Sequence, residues 1–426
     1  MKIALVTAFP PSRQGLNEYG FHVADELRRH SELQLTILAD HLPHAEPELP
    51  DFNVVRCWGF NRLDNPVCLL RAIRQLKPDI VWYNIGFASF GGSPLPAFFG
   101  LTTPALTRFC SCYTHITLHQ LFETVNLADA GVKSPWMYRV AGRVATHVLL
   151  CANSMSVLLP AYHRTLRKRY GRGTVKVRHH GIFASCPEQP DLSKRGNPVH
   201  RILAFGKWGT YKRLELLIDA FERIVLQSPP VELVIAGGDH PKTQGYVNSV
   251  AERVQRNRRI RFVGYVPEEA IPELFQTASL AVMPYTSSAG SSGVAHLACQ
   301  YGLPILVSDI EDFRELAEHE RVSMDFFVPN DVDSLASHLA ELLKSPERLA
   351  QMARHNFSAA LEMSMPQVIR QYIRSFDVQH RLRMLKAFSQ LRSSPRWMPT
   401  RSWMARRLER KLKSWDKPGR RDSREL

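Results

Sequence analysis

No stretch of 18 or more apolar residues occurs in this chain of 426 residues, which excludes a membrane-spanning helix by the usual length criterion. The opening run, Met1 to Thr7, is too short for a secretory signal and is followed by Pro10 and Pro11. It reads as a buried first strand, and the chain is expected in the cytoplasm. Cysteine is sparse: seven residues, an odd number, with no C-x-x-C pair and no histidine spacing suited to zinc. They are expected to be reduced core thiols. No repeat of 20 to 50 residues is present, and no Asp-x-Asp pair stands in a loop suited to a metal, so no metal or other bound cofactor is expected.

Acidic residues are also in deficit. Forty Asp and Glu stand against 55 Lys and Arg, for a net charge of +15 and a pI near 9.7. Such a balance invites nucleic acid, but Ser393 to Leu426 alone carries 11 basic against 4 acidic residues. Outside this tail there is no stacking-aromatic sheet motif, zinc knuckle or recognition helix, and nucleic acid is not expected as a partner. The remaining mild excess suits phosphate-bearing ligands or an anionic membrane surface.

What is present is an alternation of strand-like and helix-like segments, the pattern of an α/β fold with parallel sheets. Ile3–Thr7, Leu33–Ala39, Asp79–Tyr83, Ile116–His119 and Val148–Cys151 are the strand candidates of the first half. A polar, proline-bearing stretch from Cys186 to Pro198 interrupts them. The pattern restarts with Arg201–Gly206 and continues through Val231–Ala236, Ile260–Val263, Leu280–Met283 and Ile305–Val307. The expected organisation is a Rossmann-like domain over 1–185, a linker over 186–199 and a second Rossmann-like domain over 200–364. A helix over 365–392 returns to the first domain, and a basic tail spans 393–426. Two doubly wound domains facing one another place a ligand in the cleft between their strand ends.

Three strand-to-helix loops carry the chemistry. Gly15 closes the first, where a glycine lets backbone approach a ligand or serves the turn alone. The second, Gly206-Lys207-Trp208-Gly209-Thr210-Tyr211-Lys212-Arg213, gathers three cations ahead of a helix over Leu214–Ile224. A solvated loop rarely needs so many; Lys207 and Lys212 would neutralise charge building on a phosphate leaving group. The third runs from Pro284 to Gly293. Its Gly290, Ser291, Ser292 and Gly293 open a helix, offering either capping alone or bare N–H groups to an anion.

These segments together resemble glycosyltransferase family 4, retaining nucleotide-sugar-dependent enzymes of GT-B fold, over roughly residues 1–375. Gly206-Lys207 with Lys212 is similar to the family's Gly-Arg and following Lys, which hold the donor diphosphate. Ala236–Asp239 resembles the strand end that follows. Phe262–Val266, with Tyr265, resembles the segment that lies against the nucleobase, and Gly302–Ser308 the stretch after the donor-binding helix. The resemblance makes His119 the histidine facing the transferred sugar, although a lone histidine after a strand is otherwise more often structural. One departure is plain: the two family glutamates, separated by seven residues, fall on Ala289 and Leu297. Ser287, Ser288, Ser291 or His296 would then have to recognise the sugar and ribose hydroxyls.

The resemblance implies transfer from a nucleoside diphosphate sugar to a saccharide or lipid-linked acceptor, in polysaccharide or glycolipid synthesis of a bacterial type. Residues Gly86–Gly92 and Tyr113–Glu123 would shape the acceptor side. The missing glutamates favour an alternative, a non-catalytic subunit that binds nucleotide sugar for another transferase. In the tail, Met404, Leu408, Leu412 and Trp415 form an apolar stripe flanked by arginines and lysines. This suits peripheral contact with an anionic membrane through residues 401–415, a helix packed on the enzyme body, or a disordered basic tail.

Overall fold

The computed structural model describes residues 1–44, 47–124, 135–171, 174–184, 187–195, 199–209, 211–225, 230–240, 243–286 and 290–393. In the tail it describes only residues 401, 402, 405, 406 and 409. The stripe expected over 401–415 therefore lies mostly outside the described residues, as do Ser287, Ser288 and Ala289.

The first sheet comprises β1 (Lys2–Val6), β2 (Gln34–Asp40), β3 (Val54–Trp58), β4 (Ile80–Ile85), β5 (Tyr113–Leu118), β6 (Ser154–Val157) and β7 (Val175–Val177). All pair in parallel in the order β3-β2-β1-β4-β5-β6-β7. Its helices are α1 (Asn17–Arg28), α2 (Asn65–Leu76), α3 (Pro94–Thr107), α4 (Pro135–Leu149) and α5 (Pro160–Tyr170). The second sheet comprises β8 (His200–Phe205), β9 (Val231–Ala236), β10 (Ile260–Gly264), β11 (Leu280–Met283), β12 (Ile305–Ser308) and β13 (Met324–Phe327). It is parallel too, in the order β10-β9-β8-β11-β12-β13. Its helices are α6 (Leu214–Ile224), α7 (Tyr246–Val254), α8 (Ile271–Thr277), α9 (Gly293–Gln300), α10 (Glu311–Glu320), α11 (Val332–Leu343) and α12 (Pro346–Glu362). The fold is thus two doubly wound Rossmann-like units. In each, strand order reverses beside the first strand, so the loops after β1 and β4, and after β8 and β11, share an edge.

Why these residues form a covered sheet is clear at β4 and β5, where every residue is buried. A parallel sheet with helices on both faces demands continuous apolar runs. The last helix, α13 (Met365–Ser393), leaves the second unit and lies on the first sheet, burying Met365, Val368, Ile369, Tyr372 and Phe376 against Ile3, Leu5 and Trp82. A buried cluster runs from the first sheet to the second. At the rim, Glu315 of α10 accepts from the Ala161 N–H of α5 at 3.1 Å and pairs with Arg164.

One strand differs from its sequence assignment. Val148–Cys151 is the end of α4 and a turn, and the strand is Ser154–Val157. Two serines hide its buried character. Their hydroxyls engage both ring nitrogens of buried His115, Ser154 Oγ at 2.7 Å from Nδ1 and Ser156 Oγ at 3.1 Å from Nε2. Polar side chains can sit in a core once their hydrogen bonds are made locally.

Between the ends of β8 and β9 the backbones nearly touch. A Cβ on Gly237, which has φ 100°, would lie 1.8 Å from the Gly206 carbonyl oxygen. Gly237→Ala is therefore expected to destabilise the protein by ~2 kcal/mol or more, read as a lower urea midpoint. Gly238→Ala, where a Cβ meets nothing within 4 Å, should leave the midpoint within ~0.5 kcal/mol of wild type.

Candidate functional site

A cavity of about 720 Å³ opens between the two units. Pro10, His22 and Phe183 line it from one side, and Gly206, Lys207, Gly238, Tyr265, Gly293 and Leu297 from the other. Its walls sit where the topology predicts, beyond the carboxyl ends of the strands.

The cation loop is held by its tryptophan. Trp208 is fully buried, its indole N–H donating to the Ala236 carbonyl at 2.9 Å and its backbone N–H to Gly238 at 2.8 Å. With Trp208 anchored inward, its neighbour Lys207 is exposed at the cavity wall. Lys212 pairs with Tyr285 of the loop after β11, and Thr286 N–H donates to the Tyr211 carbonyl at 2.9 Å. The two loops are thereby stitched together. The Lys212 ammonium lies over the Tyr285 ring, 4.6 Å from its centre, and burial lowers its pKa. A Cβ on Gly206 would be 3.7 Å from Lys212 Nζ and 3.9 Å from Val294 in the first turn of α9. Lysine cation and helix N-terminus thus flank the same backbone atom.

The serine loop ends in a left-handed turn at Ser292 (φ 27°), whose hydroxyl accepts from the Ala295 N–H at 3.4 Å. Gly290 differs from its expected part: its N–H donates to Asp312 Oδ2 at 2.8 Å, and that bond takes it out of the anion-facing set. The N–H groups of Ser291, Ser292, Gly293 and Val294 donate to no described residue. Such bare donors at a helix start favour an anion. Across the cleft, Gly293 faces His180, whose Cε1 would lie 3.9 Å from an added Cβ, and Gly290 faces Gln120 at 3.7 Å.

His296 is also placed differently from its sequence assignment. It is 3% exposed and turned away from the cavity, with Nδ1 2.9 Å from the Ser292 carbonyl and Nε2 2.6 Å from Glu320 Oε2. Both partners are acceptors, so the geometry suits an imidazolium. Burial works against that charge, but Glu320 outweighs it and raises the His296 pKa. The same burial opposes Glu320, whose pKa is nevertheless held low by His296 and His179. The pair clamps the carbonyl at the Ser292 turn instead of contacting a sugar.

On the first unit, His119 sits one residue beyond β5. Its Nε2 lies 2.6 Å from Asn84 Oδ1, and the Asn84 amide nitrogen donates to Thr7 Oγ1 at 3.1 Å. Gly20 makes this possible, since a Cβ there would stand 2.5 Å from Thr7 Oγ1. Burial pushes the imidazole down to about 3, so His119 is neutral. With Nε2–H donating to Asn84, Nδ1 is left as an acceptor. Tyr19 packs edge-on at 4.5 Å, and His180 at 5.9 Å.

Of the expected residues, Lys207, Tyr265 and Gly293 line the cavity; Lys212 lies behind Gly206, Ser291 and Ser292 are buried next to Gly293, and His119 is buried in the first unit. Gly15 is exposed, away from the cavity wall, and a Cβ there would meet nothing within 4 Å. The close glycine of that region is Gly20. Sequence reasoning missed Asn84, His180 and Glu320. Asn84 lies at the end of a strand with five apolar neighbours, and a polar residue in such a run is a readable signal. The other two become meaningful only through packing.

His115, at about 3, and His119 stay neutral when folded but take protons near 6.5 when unfolded. Their contribution is full above about pH 6.5 and is lost as the pH falls towards 3. His119→Asn should reduce the loss of unfolding free energy between pH 7.5 and pH 5 by up to ~2 kcal/mol. Urea titrations at both pH values measure this; an unchanged loss would refute the neutral buried state.

Known proteins share this fold. The family model described as Glycosyl transferases group 1 matches residues 199–345. The chain is 25% identical over 143 residues to O-antigen chain mannosyltransferase B of Escherichia coli, covering 33% of this chain and 36% of that protein. It is 23% identical over 218 residues to a phosphatidyl-myo-inositol mannosyltransferase of Mycobacterium leprae, covering 50% and 53%. The matched stretch thus spans about half or less of these relatives. In structure, HepE of Anabaena, solved with UDP and glucose, superposes with a TM-score of 0.66 at 17% identity, over 88% of this chain and 99% of that one. Sucrose-phosphate synthase of Thermosynechococcus elongatus gives 0.70 at 15%, over 89% and 99%. The chain has the GT-B architecture, and most of its second unit, residues 199–345, matches the group 1 glycosyltransferase model.

Proposed function

We propose that the protein transfers a sugar from a nucleoside diphosphate sugar to a saccharide or lipid-linked acceptor, with retention at the anomeric carbon and without a bound metal. The observation that carries this reading is that Lys207 and the start of α9, at Gly293 and Val294, line one wall of the cavity, with the Lys212 ammonium close behind at Gly206 and with N–H groups from Ser291 to Val294 that meet no described acceptor. As the bond between the anomeric carbon and the phosphate oxygen breaks, negative charge grows on the diphosphate. Cations and peptide dipoles already in place stabilise it without reorganising. The acceptor oxygen bonds the anomeric carbon, and the departing diphosphate takes up its proton. Tyr265, 84% exposed at the cavity wall, would offer its ring to the nucleobase. His119 would accept a hydrogen bond from a sugar hydroxyl through Nδ1, its ring orientation set by Asn84.

The mannosyltransferase names of the relatives and the UDP and glucose bound by HepE support a hexosyl nucleotide as donor. Leu297 lines the cavity where the family resemblance calls for a glutamate. This favours a second reading, a donor-binding subunit without turnover.

A donor panel of UDP, GDP and ADP sugars separates the two readings. A ligand that binds only the folded form at 100 times its Kd adds ~2.7 kcal/mol of stability, so the matching nucleotide raises the melting temperature under either reading. Transfer or donor hydrolysis then marks an enzyme. Lys212→Ala is expected to lower kcat/KM roughly 10²- to 10³-fold, the scale for removing one preorganised charge-stabilising group. Lys212→Arg should recover part of it. Loss of less than about threefold in Lys212→Ala would remove this lysine from the proposed role.

A further inference from the structure

Helices α3 and α4 pack side by side on the outer face of the first sheet and carry an apolar surface that the proposed chemistry does not use. Leu95 and Phe99 on α3, and Trp136, Met137, Val140 and Val144 on α4, are 66%, 46%, 68%, 53%, 51% and 45% exposed. Positions 136, 140 and 144 lie one helical turn apart and form a stripe. The opposite face of α4 is the packed one, with Ala145 and Leu149 buried and Gly142 so close to Phe122 that a Cβ would lie 2.0 Å from its ring. So the exposed stripe is not an inverted core face.

Charge identifies what this surface meets. From Pro94 to Cys110 and from Pro135 to Leu149 there is no Asp or Glu, whereas Arg108, Arg139 and Arg143 are present. Arg139 and Arg143 are exposed beside the stripe and form no ion pair with a described residue. Tryptophan and aliphatic side chains flanked by arginines that pair with no described residue, on helices without Asp or Glu, suit the boundary between headgroups and acyl chains of an anionic bilayer.

Position within the fold strengthens the assignment. α3 begins just after the loop that follows β4, and α4 begins in the connection that follows β5. Both helix starts therefore follow the carboxyl ends of their strands, the edge at which the cleft lies. Most of the exposed apolar residues, from Leu95 and Phe99 to Trp136, Met137 and Val140, belong to these N-terminal halves.

We infer that the α3–α4 face is a docking surface for an anionic lipid bilayer, seating the first unit so that a lipid-linked acceptor enters the cleft from the membrane. The choice of acceptor rests on the transferase reading above; the docking itself does not.

The test uses the full chain, a form ending at residue 393, and the double variant W136E/V140E, floated with phosphatidylglycerol or phosphatidylcholine vesicles. Both altered residues are more than half exposed, so the melting temperature of the variant should match wild type. The full chain and the shortened form are expected to float with phosphatidylglycerol vesicles and to be released by high salt. The double variant should bind at least tenfold less. Undiminished binding of the variant, or binding lost entirely on shortening the chain, overturns the inference. So does size-exclusion showing that the variant only breaks a dimer while vesicle binding is unchanged. Donor hydrolysis in solution is recorded in parallel. If it persists without vesicle binding, the docking surface fails alone; vesicle binding without any turnover leaves docking intact and removes the transferase reading.

Discussion

β8 and β11 are neighbours in a parallel sheet, and the cation-bearing wall of the cleft depends on that adjacency. Strand order reverses there, so the two loops leaving these strands cannot separate. One loop brings lysines, the other a helix N-terminus, and the pairing of Lys212 with Tyr285 joins them. The close contact of Gly206 with Gly237 then lets the next strand end approach without a side chain in the way. Cations and peptide N–H groups reach one point because the sheet leaves them nowhere else to go.

Around that point the protein buries an unusual set of histidines. His119, His180 and His296 follow one another across the junction of the two units, with ring centres 5.9 Å and 4.6 Å apart. Their charge states differ because their partners differ. His119 faces an amide oxygen and burial lowers its pKa to about 3, while His296 faces a carboxylate that raises its pKa. For His180, burial and the neighbouring His296 both press the pKa down. A buried positive charge is tolerable here only because Glu320 is buried with it. The pair fixes the Ser292 carbonyl and with it the direction of the N–H groups at the start of α9.

The interface between units is continuous with both cores, unlike a loose hinge. α13 crosses back to the first sheet, Ile182 bridges Ser364, and the rim contact of α5 with α10 closes one side. A first unit tethered this way keeps its strand ends opposed to those of the second. The exposed face of α3 and α4 starts from the connections that follow β4 and β5.

From residue order alone, two doubly wound units and the glycine-, cation- and serine-bearing loops that follow β8 and β11 were legible. Each is local: apolar runs ending in glycine, and cations or serines at fixed offsets before a helix. The same local logic failed at β6, because its buried serines are satisfied by His115, a residue nearly forty positions earlier. It failed again at His296 and Gly290, which read as donors to a ligand and turn out to serve Glu320 and Asp312. It placed the glycine of the first loop at Gly15, where the tightly packed one is Gly20. Which side chain faces the cavity, and which protonation state it holds, are set by neighbours distant in the chain. Sequence spacing determines the elements and the chemistry they carry; only the packed structure decides which of those groups have already found partners, because burial makes an unmade hydrogen bond or an unpaired charge costly enough to choose for them.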